Sequence, residues 1–135
     1  MDTAHIEHLG TLRTEATHVR SGQRMITDAP VDNKGRGEAF SPTDLLATSL
    51  ATCAITTMDI AATGRGIALK GLKAKVVKHM LADPRRVGKV EVHIEMDGEG
   101  LGPDLRELLE ATAKGCPVAR SLHPDLQQEF QFSYR

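Results

Sequence analysis

The chain has 135 residues, 40% hydrophobic and 26% charged, the make-up of a single soluble globular domain over 1–135 with one core. Seventeen basic against eighteen acidic side chains give a net charge of −1, which argues against nucleic acid or an anionic membrane as partner. With no Trp, one Tyr and three Phe, base stacking has few platforms. The opening MDTAHIEHLGTLRTEATH has no basic stretch followed by an apolar block, so no export signal is expected and a cytoplasmic location is; a lasting structural disulfide is then not expected.

In chain order, Leu12, Thr14 and Ala16 alternate with Arg13, Glu15 and Thr17, which predicts one strand from Ile6 to Val19. His5 and His8, three apart at its start, face opposite sides and make no metal pair. Ser21-Gly22 signals a turn, Arg24 to Thr27 a short second strand ending at Asp28-Ala29-Pro30, and VDNKGRGEAF a loop. Ser41-Pro42-Thr43-Asp44 reads as a helix start with a Ser cap, Pro at the first helical position and an acid in the first turn; Gly64 is the natural stop.

Between Pro42 and Gly64 only Asp44 and Asp59 are charged, and Leu45, Leu46, Leu50, Ile55, Met58 and Ile60 spread round all faces. Such a helix has little face to give to water and is expected to be buried on most sides, in part by a partner subunit. Its length is that of a membrane span, but six threonines, Ser49 and Asp59 make it too polar to favour lipid.

Leu72, Ala74 and Val76 alternate with Lys73 and Lys75, and the pattern slips at Val77-Lys78, which predicts a bulge. Asp83-Pro84-Arg85-Arg86 turns the chain, after which Val90, Val92, Ile94 and Met96 alternate with Glu91, His93 and Glu95: a hairpin with one buried and one solvated face. GEGLGP has no strand before it to make a dinucleotide fingerprint and reads as a turn. Pro103 to Lys114 forms an amphipathic helix, Pro117 to Leu122 a short one, and Phe130, Phe132 and Tyr134 mark a last strand.

The chemistry rests on two cysteines. Cys116, in Gly-Cys-Pro, falls at a helix start, where free amides and the positive end of the helix would favour the thiolate; Cys53 lies mid-helix, where those donors are consumed. No CxxC, HExxH or Cys/His ligand spacing is present, so neither metal nor cofactor is expected. Buried cysteine also serves simply as a small hydrophobe, and that reading stays open for both.

Three segments, RSGQRMITDAP from Arg20, SPTDLLATSLATC from Ser41 and GCPVARSL from Gly115, together with the order of elements, resemble the OsmC/Ohr family, in its divergent OsmC-like branch. The element order and the resemblance imply an α+β fold, an intertwined homodimer with antiparallel sheets packed on long central helices. The resemblance also implies thiol chemistry: Cys53 attacks an organic hydroperoxide and becomes a sulfenic acid, Cys116 closes a disulfide, and a dithiol or lipoyl-type reductant resets the pair. The family arginine that holds the thiolate corresponds to Arg20, or to Arg24 if the turn is gapped differently. At the place of the family glutamate stands Thr43, with Asp44 next to it, about 100° round the helix, and Glu38 the other available acid. Three functions follow: a thiol-dependent peroxide reductase with Cys53, Cys116, Arg20 and Asp44 as its site; a non-catalytic dimer binding a small hydrophobic ligand on the same scaffold; and a structural dimer with both cysteines as packing.

Overall fold

Thr11 and Leu12 both adopt left-handed backbone, with φ of 52° and 65°, and fold the N-terminal stretch back on itself. The single strand expected from Ile6 to Val19 is therefore two, β1 (Ala4–Gly10) and β2 (Arg13–His18), paired antiparallel. Thr-Leu lacks the Asn-Gly signature that marks such a two-residue turn in a sequence. The computed structural model describes residues 1–135, which form two compact units, Met1–Leu46 and Ala47–Arg135.

In the first unit β3 (Arg24–Asp28) completes a three-stranded antiparallel sheet in the order β1-β2-β3. The loop after β3 contains a 3₁₀ turn at Val31–Asn33 and returns to the strand, with the Asp28 amide donating to Phe40 O at 3.1 Å. Gly35 lets it close, since a Cβ there would sit 1.7 Å from Ala29 O. The loop delivers the chain to the start of α1 (Pro42–Thr63), whose bounds follow the cap and stop signals in the sequence.

In the second unit α1 buries a stripe of Ala47, Leu50, Ala51, Ala54, Met58 and Ala62, spaced three and four apart. The stripe packs in one core with Val90, Val92, Ile94 and Met96 of β5 (Arg86–Met96) and Leu109 and Ala113 of α2 (Pro103–Lys114). β4 (Lys73–Leu81) joins β5 in the expected hairpin. The register shift lies between His79 and Met80, not at Val77-Lys78, because Val77 pairs regularly with Glu91 and is an apolar residue exposed on the outer face. α3 (Pro117–Ser121) leads to β6 (Gln127–Tyr134), and the sheet order is β4-β5-β6.

The α+β class holds with one departure: β6 runs parallel to β5. A chain that crosses over through two helices before rejoining a sheet can return in the same direction, whereas a tight hairpin cannot. The expectation that α1 is covered on most sides meets a second departure within the chain, for Thr52, Thr56, Asp59 and Ile60 are exposed, Ile60 by 67%. α1 has a mean hydropathy of 1.5, enough to pass for a span, yet its apolar stripe is the core of the second unit.

Met58→Ala, at a side chain with no exposed surface, is expected to cost about 2–5 kcal/mol in chemical denaturation. His5→Ala on an exposed strand should stay within about 0.5 kcal/mol.

Candidate active site

Cys53 lies in the fourth turn of α1 and Cys116 at the cap of α3, 63 positions further on; Cys116 is part of the core of the second unit and Cys53 packs against that core. Cys53 is half-buried and Cys116 is fully buried. Neither is in a disulfide. Along α1 the amides near Cys53 belong to the helical ladder. Thr57 Oγ1 is 4.0 Å from Cys53 Sγ, but it donates its hydrogen to Cys53 O at 2.6 Å.

Cys116 sits where the sequence places it, with extended backbone (φ −65°, ψ 158°) and Pro117 at the first helical position. The consequence expected for its thiol is reversed. Burial pushes the Cys116 thiol up, and the Cys53 sulfur beside it pushes the same way; the Ala119 and Val118 amides pull down and do not offset this. α3 spans only five residues and its amides close no standard capping bond to the sulfur, so desolvation wins. Cys116 is held as the neutral thiol.

The first unit has its own organised group. Arg13 at the start of β2 faces Asp28 at the end of β3 across the ladder. Its Nε donates to Asp28 Oδ1 at 2.5 Å and its Nη2 to Oδ2 at 3.1 Å, a two-pronged pair, while Glu38 Oε2 lies 3.4 Å from the same Nη2. Asp28, 1% exposed, also accepts from the Glu38 amide at 3.0 Å. The Arg13 hydrogen bond holds the Asp28 carboxyl below the usual carboxylate range against the opposing effect of burial, and the pairing raises Arg13 in turn.

Of the residues expected to complete the site, Arg20 lies exposed in the β2–β3 turn with no ion pair or hydrogen bond, and Arg24 is exposed with Glu15 at 3.9 Å. Asp44 serves the helix start: its Oδ2 accepts from the Ser41 amide at 3.0 Å and its own amide donates to Ser41 Oγ at 3.0 Å, a reciprocal capping box. The carboxylates that meet an arginine are Asp28 and Glu38. Arg13 and Asp28 pair across the β2–β3 ladder, and the sequence pattern of that hairpin set no register that would bring them together.

A cavity of about 550 Å³ opens on the outer face of the second sheet beside Lys75, Val77, His93 and Gln131; it includes neither cysteine. No group of three or more His, Cys, Asp or Glu is arranged to hold a metal ion.

The family profile described as OsmC-like protein matches residues 35–130, which takes in both cysteines. The chain belongs to the OsmC-like protein family. Among solved structures, this OsmC-like chain is 48% identical to a Psychrobacter arcticus 273-4 protein provisionally described as an osmotic stress induced and detoxification response protein, with 98% of this chain and 96% of that one covered and a TM-score of 0.92. An organic hydroperoxide resistance protein OsmC from Legionella pneumophila is 20% identical, with 98% of each chain covered and a TM-score of 0.76. The organic hydroperoxide resistance protein OhrB of Bacillus subtilis is 14% identical, with 97% of this chain and 98% of that one covered and a TM-score of 0.68; these two share the fold. No curated protein matches the chain.

Asp28 carries a carboxyl whose folded pKa lies below its unfolded value, so its stabilising effect is complete above about pH 4 and fades as pH falls through the lower folded pKa. In denaturant titrations from pH 7 to pH 2, Asp28→Asn is expected to be less stable than wild type at neutral pH, with the gap closing as the wild-type carboxyl is protonated. A gap independent of pH would place the effect in packing and not in the charged pair.

Proposed function

We propose that this OsmC-like protein reduces organic hydroperoxides with the Cys53–Cys116 pair, as a homodimer reset by a dithiol or lipoyl-type reductant. The observation that supports the reading is that two free thiols from distant parts of the chain share the core of the second unit, Cys116 buried with its thiol pushed up and Cys53 half-buried against that core. The family, and the two fold relatives described as organic hydroperoxide resistance proteins, support the same direction.

The steps balance as follows. The Cys53 thiolate attacks the terminal oxygen of RO–OH; the O–O bond breaks, the sulfur becomes a sulfenic acid, and the alkoxide takes a proton to leave as alcohol. The Cys116 sulfur then attacks the sulfenic sulfur, an S–S bond replaces the S–O bond, and water departs with the Cys116 proton. An external dithiol reduces the disulfide by exchange. A reducing compartment such as the cytoplasm suits that last step.

The resemblance gives Arg20 the task of steadying the thiolate. That task needs a guanidinium held in one orientation, and within the first unit Arg20 is exposed while Asp44 serves the helix cap. The dimer follows from α1: exposed Ile60 and half-buried Leu45 and Leu46 lie on a helix with two charges, and a second copy would cover them.

Cys53→Ser is expected to abolish peroxide consumption, whereas Cys116→Ser should consume one equivalent and stall or over-oxidise. Oxidation in Cys53→Ser but not in Cys116→Ser would reverse the roles, and no consumption by wild type would leave the ligand-binding alternative. Sedimentation should give one species near twice 14.6 kDa; a compact monomer at micromolar concentration would refute the dimer.

A further inference from the structure

The hollow on the outer face of the second sheet is not used by the thiol chemistry. Its charged and polar lining is Lys73, Lys75, His93, Glu95, Gln131 and Ser133, round a volume of about 550 Å³, within the range of small-molecule sites. Register sets these side chains in rows. Lys75 lies opposite His93 and His93 opposite Gln131, so three strands about 4.8 Å apart each present one polar head across the sheet. The carboxylates around the hollow are already matched: Glu95 has Lys73 at 3.2 Å and Arg135 at 3.3 Å, and Glu91 pairs with His79 and has His93 at 3.6 Å. Lys75 stands exposed with no ion pair, and the exposed side chains of Gln131 and Ser133 are uncommitted. Beside them Val77 leaves an apolar side chain 44% exposed.

We propose that this hollow binds a small organic carboxylate: Lys75 Nζ carries the opposing charge, a ring N–H of His93 and the Gln131 amide donate to the carboxylate oxygens, and Val77 takes the apolar chain. An exposed lysine alone holds an anion weakly, because water screens it. Here the cation is joined in register by two further donors and an apolar contact. The one carboxylate that lines the hollow, Glu95, does not compete for Lys75, since two other cations hold it. Inorganic phosphate would meet the same charge and leave Val77 in water, so the apolar contact selects an acid with a hydrocarbon chain. The hollow includes neither cysteine, and the site is independent of the peroxide-reductase reading.

The test is a titration of the isotope-labelled protein with sodium hexanoate at neutral pH and constant ionic strength, read by amide NMR, with hexanol and inorganic phosphate titrated in parallel. Hexanoate is expected to give saturable shifts centred on Lys75, Val77, His93 and Gln131, and the other two compounds much weaker ones. Lys75→Gln removes one charge-assisted contact and is expected to weaken hexanoate binding about tenfold. Lys34→Gln makes the same change of net charge on an exposed loop of the first unit, outside the hollow, and is expected to leave binding unchanged. Circular dichroism establishes that both variants are folded. The absence of saturable shifts at millimolar hexanoate would overturn the proposal. Equal shifts with phosphate would mean an adventitious ion only, and equal shifts with hexanol would mean that the charge plays no part; either result overturns it. So does equal weakening in the two variants, which would trace the effect to net charge and not to Lys75.

Discussion

The burial of Cys116 is the constraint on which the proposed division of labour between the sulfurs depends. A charge in a site without solvent is costly unless donors replace the lost water, and two amides at the start of a five-residue helix do not replace it here. The buried sulfur therefore keeps its proton, and Cys53 is the less buried of the two. The cap geometry read from Gly-Cys-Pro is present, and it loses to desolvation. A helix start is a weak activator when it is short and sealed.

That burial is made by the same packing that makes the fold. The small residues of the α1 stripe, four alanines among six positions, let the helix lie close on the sheet and on α2. α2 ends at Lys114, and Gly115 carries the chain directly to the cap of α3, so the position of Cys116 is set by how α2 seats against α1 and β5. Core stability and cysteine proximity are coupled for this reason. A substitution that loosens the seat of α2 is felt at the thiols without touching them.

Much of this was legible in the sequence. The bounds of α1 could be read because a capping box, a proline and a glycine each carry a local signal, and the β4–β5 hairpin because strict alternation over Val90 to Met96 admits one register. The turn at Thr11-Leu12 was not legible: left-handed backbone at two residues other than glycine leaves no compositional mark. Arg20 and Asp44 were singled out by their place in a motif. Their actual settings, a solvated turn and a helix cap, depend on partners that come together only in three dimensions. The parallel return of β6 is likewise a property of the crossover and not of the strand's own residues. Cys53 and Cys116 were identified by residue type and context, but the upward push on the Cys116 thiol comes from burial, and burial is a property of the fold.

The central claim is that Cys53 and Cys116 form one redox pair. Its most direct test is to treat the reduced wild-type protein with one equivalent of cumene hydroperoxide and to measure intact mass and the cross-linked peptides. The account predicts loss of the two thiol hydrogens from each chain, a single linkage between the Cys53 and Cys116 peptides, and return to the starting mass on adding a dithiol. An unchanged mass, or stable oxygen addition at either cysteine with no linkage between them, would contradict it.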